Sequence, residues 1–591
     1  MLGCLSLNQV AEKTVNIFQA GGVSGIKMVD HILDLEAKAI QFVLTNQLLS
    51  GIFALDQAAA FPSISRRYIH WVLKVMCVPR RIRRLFRALY TGGKNGVSFG
   101  GRVYYYFVAY SGVKQGDPSS MVIFVLCFDP ILRWIDSLLS PLGDCLFGYC
   151  DDVGIACRDV TKSWPIIAKC FHIVSRIAGL HLNTDKTQCC VLFKESLCRI
   201  MAAFQVGDGL PNPYNLDQSL FRNVVKYLGV LLGPGAAALA WVEVSTSYTE
   251  CVKFLRDIDA GFTPTISLYN ILCMSICSWV GSFHAPSRDL STLESKSLQR
   301  LTHGPWNVFS KTSLFNLKLF GLPVQFHSIH RSSIASKVRN GCATASHFMH
   351  TYKTLQDAFV ADDRVLHYSC REWMLNCCNQ SIYDAIQHAA SIGVGISDFV
   401  AQYDVSSYLR ESDCTFDIKS FLGRLLSRFG DVSQDKIAHV LSCMVSMGEV
   451  SKPCVLSAYL FTVLNGWCTA GRFGLENDDC VFCGMPHAAT VRHMATCPSA
   501  QNVILPTLNQ NQLFLMDCHI FKLTNGHSLL SQDAVRFVFL YIYLLFRSFN
   551  AVRHGEKLEK RLIVFLCKNL SFHCSTSRSF LRALRRVPLL F

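Results

Sequence analysis

Two adjacent aspartates at the tip of an apolar run, Tyr149-Cys150-Asp151-Asp152, constrain this chain more than any other feature. Leu146-Phe147-Gly148 leads in and Val153-Gly154-Ile155-Ala156 leads out, which reads as strand, tight turn and strand with two carboxylates at the bend. Like charges side by side repel, and burying either is costly. A divalent cation removes the conflict, and Mg²⁺ favours carboxylate oxygens. Nucleotidyl transfer uses carboxylate-held metals of this kind to bring an attacking hydroxyl and a triphosphate together. A solvated turn is the plainer reading, since Asp is a favoured turn residue, so the neighbouring motifs decide between the two.

A third carboxylate is available upstream. Gly51-Ile52-Phe53-Ala54-Leu55-Asp56 is an apolar strand ending in an acid, followed by small residues and Phe61. Asp56 could instead cap the helix beginning near Pro62, but Ser63 or Ser65 suits that role better. Between the two acidic sites lies Ser111-Gly112-Val113-Lys114-Gln115-Gly116-Asp117-Pro118, ahead of an apolar helix from Met121 to Leu139 that Asp129-Pro130 is expected to interrupt. Glycines flanking Lys and Gln suit close approach to a nucleotide or template strand.

Asp56 with Phe61, the Gly112–Pro118 block and Tyr149-Cys150-Asp151-Asp152 resemble, in order and spacing, reverse transcriptase motifs A, B and C. Gly179-Leu180-His181-Leu182-Asn183-Thr184-Asp185-Lys186-Thr187 looks like motif D, and Lys226-Tyr227-Leu228-Gly229-Val230 like motif E. The closest likeness is to non-LTR (LINE-type) retrotransposon enzymes. Gln19-Ala20-Gly21-Gly22-Val23-Ser24-Gly25 resembles the family's fingers motif, with Gly22 where an aromatic is usual and Ile26 where an arginine is usual. Cys150 replaces a commoner Ala, and Pro62 stands where a second acid is frequent. The segment ahead of Gln19 is short for the family, so the fingers read as reduced and the chain as N-terminally truncated.

The resemblance implies an α+β fold: a right-hand polymerase palm with reduced fingers and a helical thumb, then a helical region with a small zinc knuckle. The domain expectation is a fingers remnant over 1–50, palm over 51–235, thumb over 236–345, helical connector over 346–474, knuckle over 475–500 and a basic helical region over 501–591. The Gly233-Pro234-Gly235 break closes the palm.

A net charge of +15 and a pI near 8.8 fit a polyanionic partner. Arg80, Arg81, Arg83, Arg84 and Arg87 recur on one helix with Ile82, Leu85 and Phe86 as its apolar positions. Beside a polymerase site they suit phosphate tracking better than a merely solvated face. At 50% hydrophobic and 17% charged residues, wholesale disorder is excluded. The 27 cysteines follow no regular framework, and Met1-Leu2-Gly3-Cys4 is not a signal peptide start, so a reducing nucleus or cytoplasm is expected. Thr265 to Phe283 is uncharged but diluted by Ser, Asn and Thr, which favours a buried helix over a membrane span, and the run Phe537 to Phe546 is too short to span.

Cys480-Val481-Phe482-Cys483, then His493 and Cys497, form the pattern Cys-x2-Cys-x9-His-x3-Cys. Four N/S ligands suit a closed tetrahedral Zn²⁺ site with no position left for catalysis, although unrelated core thiols would give the same letters. Non-LTR retrotransposon proteins carry such a block downstream of the polymerase. His487 is a competing ligand that lies too close to the knuckle. Beyond it Arg553, Lys557, Lys560, Arg561, Lys568, Arg578, Arg582, Arg585 and Arg586 make a basic tail.

The resemblance implies an RNA-directed DNA polymerase working on an RNA template, a DNA primer and dNTPs, with no membrane role. Asp56, Asp151 and Asp152 would hold two Mg²⁺. Phe61 would exclude ribonucleotides; Lys114, Gln115 and Gly116 would line nucleotide and template; Lys186 would stand near the phosphates; Tyr227, Leu228 and Gly229 would grip the primer. The rival readings are an inactive relative, a nucleic-acid-binding protein acting through knuckle and tail, and a group II intron maturase.

Overall fold

The computed structural model describes residues 2–23, 27–91, 94–114, 116–193, 196–205, 221–305, 308–343, 368–391, 416–475, 478–508, 517–525 and 528–572. Gln115, the Ser24–Ile26 part of the fingers motif and Arg578, Arg582, Arg585 and Arg586 lie outside them. The chain divides into two compact units: Met1–Glu243 with Trp279–Pro286 and Ser333–Leu409, and Val244–Ser278 with Ser287–Ser332 and Arg410–Phe591.

The first unit is built on a sheet of five strands in the order β5-β6-β1-β8-β9. These are β1 (Gly51–Leu55), β5 (Cys145–Tyr149), β6 (Asp152–Cys157), β8 (Gln188–Val191) and β9 (Phe221–Arg222). β6 and β8 run antiparallel to β1 on either side. Phe53 and Leu55 of β1 enter a buried cluster with α1 (Leu2–Thr14), α5 (Ser120–Leu139) and α6 (Val160–Ala178). Ile52 and Ala54 enter a second cluster with α2 (Met28–Leu44) and the hairpin β10–β11 (Val225–Tyr227, Val230–Leu232). With both faces covered, alternation of side chains across the strand produces a continuous apolar run instead of a polar–apolar pattern.

Two short pairs extend this frame: β2 (Gln57–Ala58) pairs with β7 (His181–Leu182), and β3 (Lys94–Phe99) with β4 (Arg102–Val108). Ser65 caps α3 (Arg66–Val75) by accepting from the Tyr68 amide, which is one of the two capping positions expected. α4 (Arg80–Tyr90) buries Phe86 and Tyr90, whereas Leu85, expected on its apolar side, is 48% exposed. α5 is not interrupted at Asp129-Pro130; Pro130 sits inside one continuous helix. Tyr68 donates to the Cys127 carbonyl one residue from the acceptor that Pro130 leaves without a donor, and buried Asp129 accepts from the Asn16 amide and the Arg133 guanidinium, which tie this stretch to its surroundings.

A late segment completes this unit. The helix Cys378–Ser391 packs on α2, and its first amides are capped by Glu36, whose carboxylate accepts from Cys378 N (3.1 Å), Asn379 N (2.9 Å) and Asn379 Nδ2 (2.7 Å). Glu36 is fully buried, and that burial pushes its pKa up.

The second unit is almost entirely helical among its described residues. The run 537–546 lies in a helix, Gln532–Arg553, of 22 residues, longer than the sequence suggested. It is long and apolar enough to cross a membrane by length and composition, and 61% of its apolar window is buried in the protein, with Tyr459 of the helix Pro453–Val463 stacked on Phe539 at 4.3 Å.

Candidate active site

β1 pairs with β6 so that Leu55 faces Val153, and β5 pairs with β6 so that Tyr149 faces Asp152. One step past Leu55, Asp56 therefore comes level with Asp152 at the same end of the ladder. Cys150 and Asp151 make the two-residue turn, and Cys150 takes φ +55°, a conformation unusual for a residue with a side chain. The backbone on which the three acids stand is tied down. Gln57 Nε2 donates to the Asp151 carbonyl (2.9 Å), and the Asn183 amide donates to the Asp56 carbonyl (2.8 Å).

Burial raises the pKa of both turn carboxyls. Asp152 is pushed up to about 6, first by desolvation and then by the charges of Asp151 and Asp56, and Asp151 is raised by desolvation and by Asp56. Three acids competing for charge in partly buried surroundings are the electrostatic condition that a bound cation relieves, and oxygen donors suit Mg²⁺. Burial, with Asp151 and Asp152 adding to it, also pushes the Cys150 thiol up to about 12, so it stays neutral among Val23 and Val125.

The other motif residues lie in the same unit. Phe61 is half-buried and stacked on Phe124 (4.7 Å, 20°). The loop carrying Lys114 and Gly116 is pinned to the segment after Asp56, with Gly112 N donating to Ile64 O and Val113 N to Phe61 O. A Cβ on Gly112 would lie 2.3 Å from the Pro62 carbonyl oxygen, so only glycine fits there. Arg66 holds the loop from below, donating to the carbonyls of Tyr90, Ala109 and Gly112. Lys114, Gly116 and Lys186 are exposed.

In the β10–β11 hairpin, Leu228 and Gly229 both take positive φ (50° and 80°), the pattern of a type I′ turn. Tyr227 is buried and donates to the Phe147 carbonyl (3.2 Å), and a Cβ on Gly154 would lie 3.1 Å from its ring. Its side chain thus braces the back of the aspartate hairpin.

Arg80, Arg81, Arg84 and Arg87 are exposed on α4, while Arg83 is partly buried and donates to the Val78 carbonyl. Gln57, Asn183 and Arg66 carry no motif signal of their own in the sequence. Their work is hydrogen bonding to distant backbone, which leaves no spacing signature.

In the second unit, Cys480, Cys483, His493 and Cys497 place one donor atom each within 4.8 Å of one another. Gly484 N donates to Cys480 O to close the knuckle, and Thr490 caps the short helix that presents His493. His487 points elsewhere, pairing with Asp478 at 2.7 Å. Three thiols and an imidazole so gathered match a tetrahedral zinc donor set.

This ladder brings three acids level at one end of a strand pair, a candidate cation site. Residues 7–232 match the family described as "Reverse transcriptase (RNA-dependent DNA polymerase)", and this segment is a reverse transcriptase domain whose likeness is to the non-LTR retrotransposon enzymes. The Retrovirus-related Pol polyprotein from type-2 retrotransposable element R2DM of Drosophila melanogaster is 30% identical over 136 residues, which are 22% of this chain and 13% of that protein. A telomerase structure from Candida albicans, in complex with a TWJ fragment of telomeric RNA, covers 66% of this chain and 58% of its own at 11% identity, with a TM-score of 0.30.

Proposed function

We propose that the chain is an RNA-directed DNA polymerase of a non-LTR retrotransposon, extending a DNA primer on an RNA template with dNTPs. The observation that carries this reading is the ladder register that brings Asp56 level with Asp152 beside the Cys150-Asp151 turn. Two Mg²⁺ bound by Asp56, Asp151 and Asp152 would supply charge neutralisation at the primer 3′-hydroxyl and at the triphosphate. The chain's own residues do the rest. The three carboxylates stand on backbone fixed by Gln57 and Asn183, so their geometry is set before substrate arrives. Phe61, anchored on Phe124, would exclude a 2′-hydroxyl by bulk. Lys114 and Gly116 lie along nucleotide and template, with Lys186 near the phosphates. The Leu228–Gly229 turn seats the primer end, and the arginines of α4 track phosphates without reading bases. The Cys480, Cys483, His493, Cys497 set would hold one structural Zn²⁺ in a nucleic-acid-binding knuckle.

The test is primer extension on an RNA template with dNTPs and Mg²⁺, comparing wild type with Asp151→Asn. Extension by wild type alone supports the proposal. Activity surviving in Asp151→Asn would sink it. Inactivity of both proteins, with nucleic-acid binding retained, would point instead to a remnant that only binds.

A further inference from the structure

The fingers motif contains a residue whose side chain does not face any substrate. Gln19 is fully buried. Its Oε1 accepts from the Cys150 amide (2.7 Å) and the Gly21 amide (3.0 Å), and its Nε2 donates to the Cys150 carbonyl (3.0 Å). Both backbone groups of the one turn residue at positive φ are therefore held by one side chain. Its own backbone lies beside β5: Gly148 N donates to Phe18 O and Ala20 N to Gly148 O. Gly21 passes so close that a Cβ there would lie 2.3 Å from Cys150 N and 2.4 Å from its Sγ.

This arrangement answers a physical problem posed by the sequence. A residue with a Cβ resists the left-handed region, and a hairpin turn that needs positive φ usually recruits Gly, Asn or Asp. Here the position immediately before the two aspartates is Cys150. Something outside the turn must over-determine its backbone. We propose that Gln19 is a positioning residue, a clamp that locks the Cys150 backbone in its left-handed conformation and so fixes where the Asp151 and Asp152 carboxylates point. This inference rests on the polymerase reading for its catalytic consequence, but the clamp itself is a statement about the turn.

The experiment compares Gln19→Leu with wild type in two backgrounds, native Cys150 and Cys150→Gly, the second chosen because glycine adopts positive φ without help. In the native background, kcat for extension should fall about 10²-fold, the size expected when catalytic groups are misplaced by an ångström. Primer–template affinity should hold, and the Mg²⁺ concentration for half-activation should rise. In the Cys150→Gly background the same substitution should cost far less, because the turn no longer needs the clamp. An equal loss in both backgrounds, or no loss in the native one, overturns the proposal.

Amide hydrogen exchange across residues 148–152 is the second readout. Gln19→Leu should speed exchange at residue 150 while leaving α5 protected. If the wild type extends no primer, the polymerase reading falls and exchange alone decides the clamp. Faster exchange at residue 150 upholds it, and unchanged exchange refutes it.

Discussion

The side-chain amide of Gln57 donates to the backbone carbonyl of Asp151 at 2.9 Å, so the residue following one acidic position holds the backbone of another. Asp56, Asp151 and Asp152 should consequently behave as one unit. Asp56→Asn and Asp152→Asn should each lower extension by roughly three orders of magnitude, the equivalent of the several kcal/mol that a metal-held charge supplies. Single-turnover rates check this, with the melting temperature confirming an intact fold.

Phe61 is stacked on Phe124 and packs half-buried against the core. Phe61→Val should raise the use of rNTPs relative to dNTPs, measured as the ratio of kcat/KM values on one template. It should also cost about 1 kcal/mol of stability through the lost ring stacking.

The exposed arginines of α4 predict a salt effect. Arg81→Gln combined with Arg84→Gln should flatten the slope of log affinity against log salt by roughly 1.4 on single strands and roughly 1.8 on duplex. A titration at several ionic strengths reads the slope, and base sequence should not change it.

The knuckle predicts one zinc per chain. Chelation, or Cys483→Ser, should remove that zinc and open residues 478–508 to protease, with little effect on the palm. Metal analysis and limited proteolysis test both statements.

Lys337 gives a pH dependence. It is buried at 3% exposure, and desolvation lowers its pKa from 10.5 to about 8, with Cys378 and Asp384 pulling the other way. Between about pH 8 and 10.5 the unfolded chain binds more protons at this residue, so stability attributable to it rises with pH through that window. At pH 7 both states carry the proton and the full penalty stands. Lys337→Met should therefore stabilise the protein at pH 7, by at most about 3 kcal/mol, and the gain should vanish above pH 10.5. Denaturant melts at several pH values measure it.

The acidic ladder was legible in the sequence because β1 is buried on both faces. Continuous burial writes an uninterrupted apolar run, and the acid at its end stands out against that run. The four cysteine and histidine positions were legible for a similar reason, since a knuckle and a helical turn each have a short fixed spacing. What held the site in place was not. Gln19 meets Cys150 across a separation of 131 residues, and Arg66 reaches carbonyls at both 90 and 109, so neither bond leaves a periodic trace. Local rules also misled in places. Pro130 argued for a helix break, yet the helix runs through it, and Leu85 sits on the apolar side of α4 by spacing yet meets solvent.

The cap that Glu36 places on the helix Cys378–Ser391 bears on how this protein is made. During synthesis, the strand carrying Asp56 emerges early, but the helix that satisfies Glu36 and closes over α2 emerges hundreds of residues later. Until residues 378–391 leave the ribosome, a carboxylate destined for the interior has no donors, and the face of α2 carrying Ile32, Leu35 and Ile40 lacks the cover of Ile382 and Ile386. The donors that satisfy Glu36 begin 342 residues downstream of it, so this unit cannot bury that carboxylate in its final surroundings before residue 378 has been made.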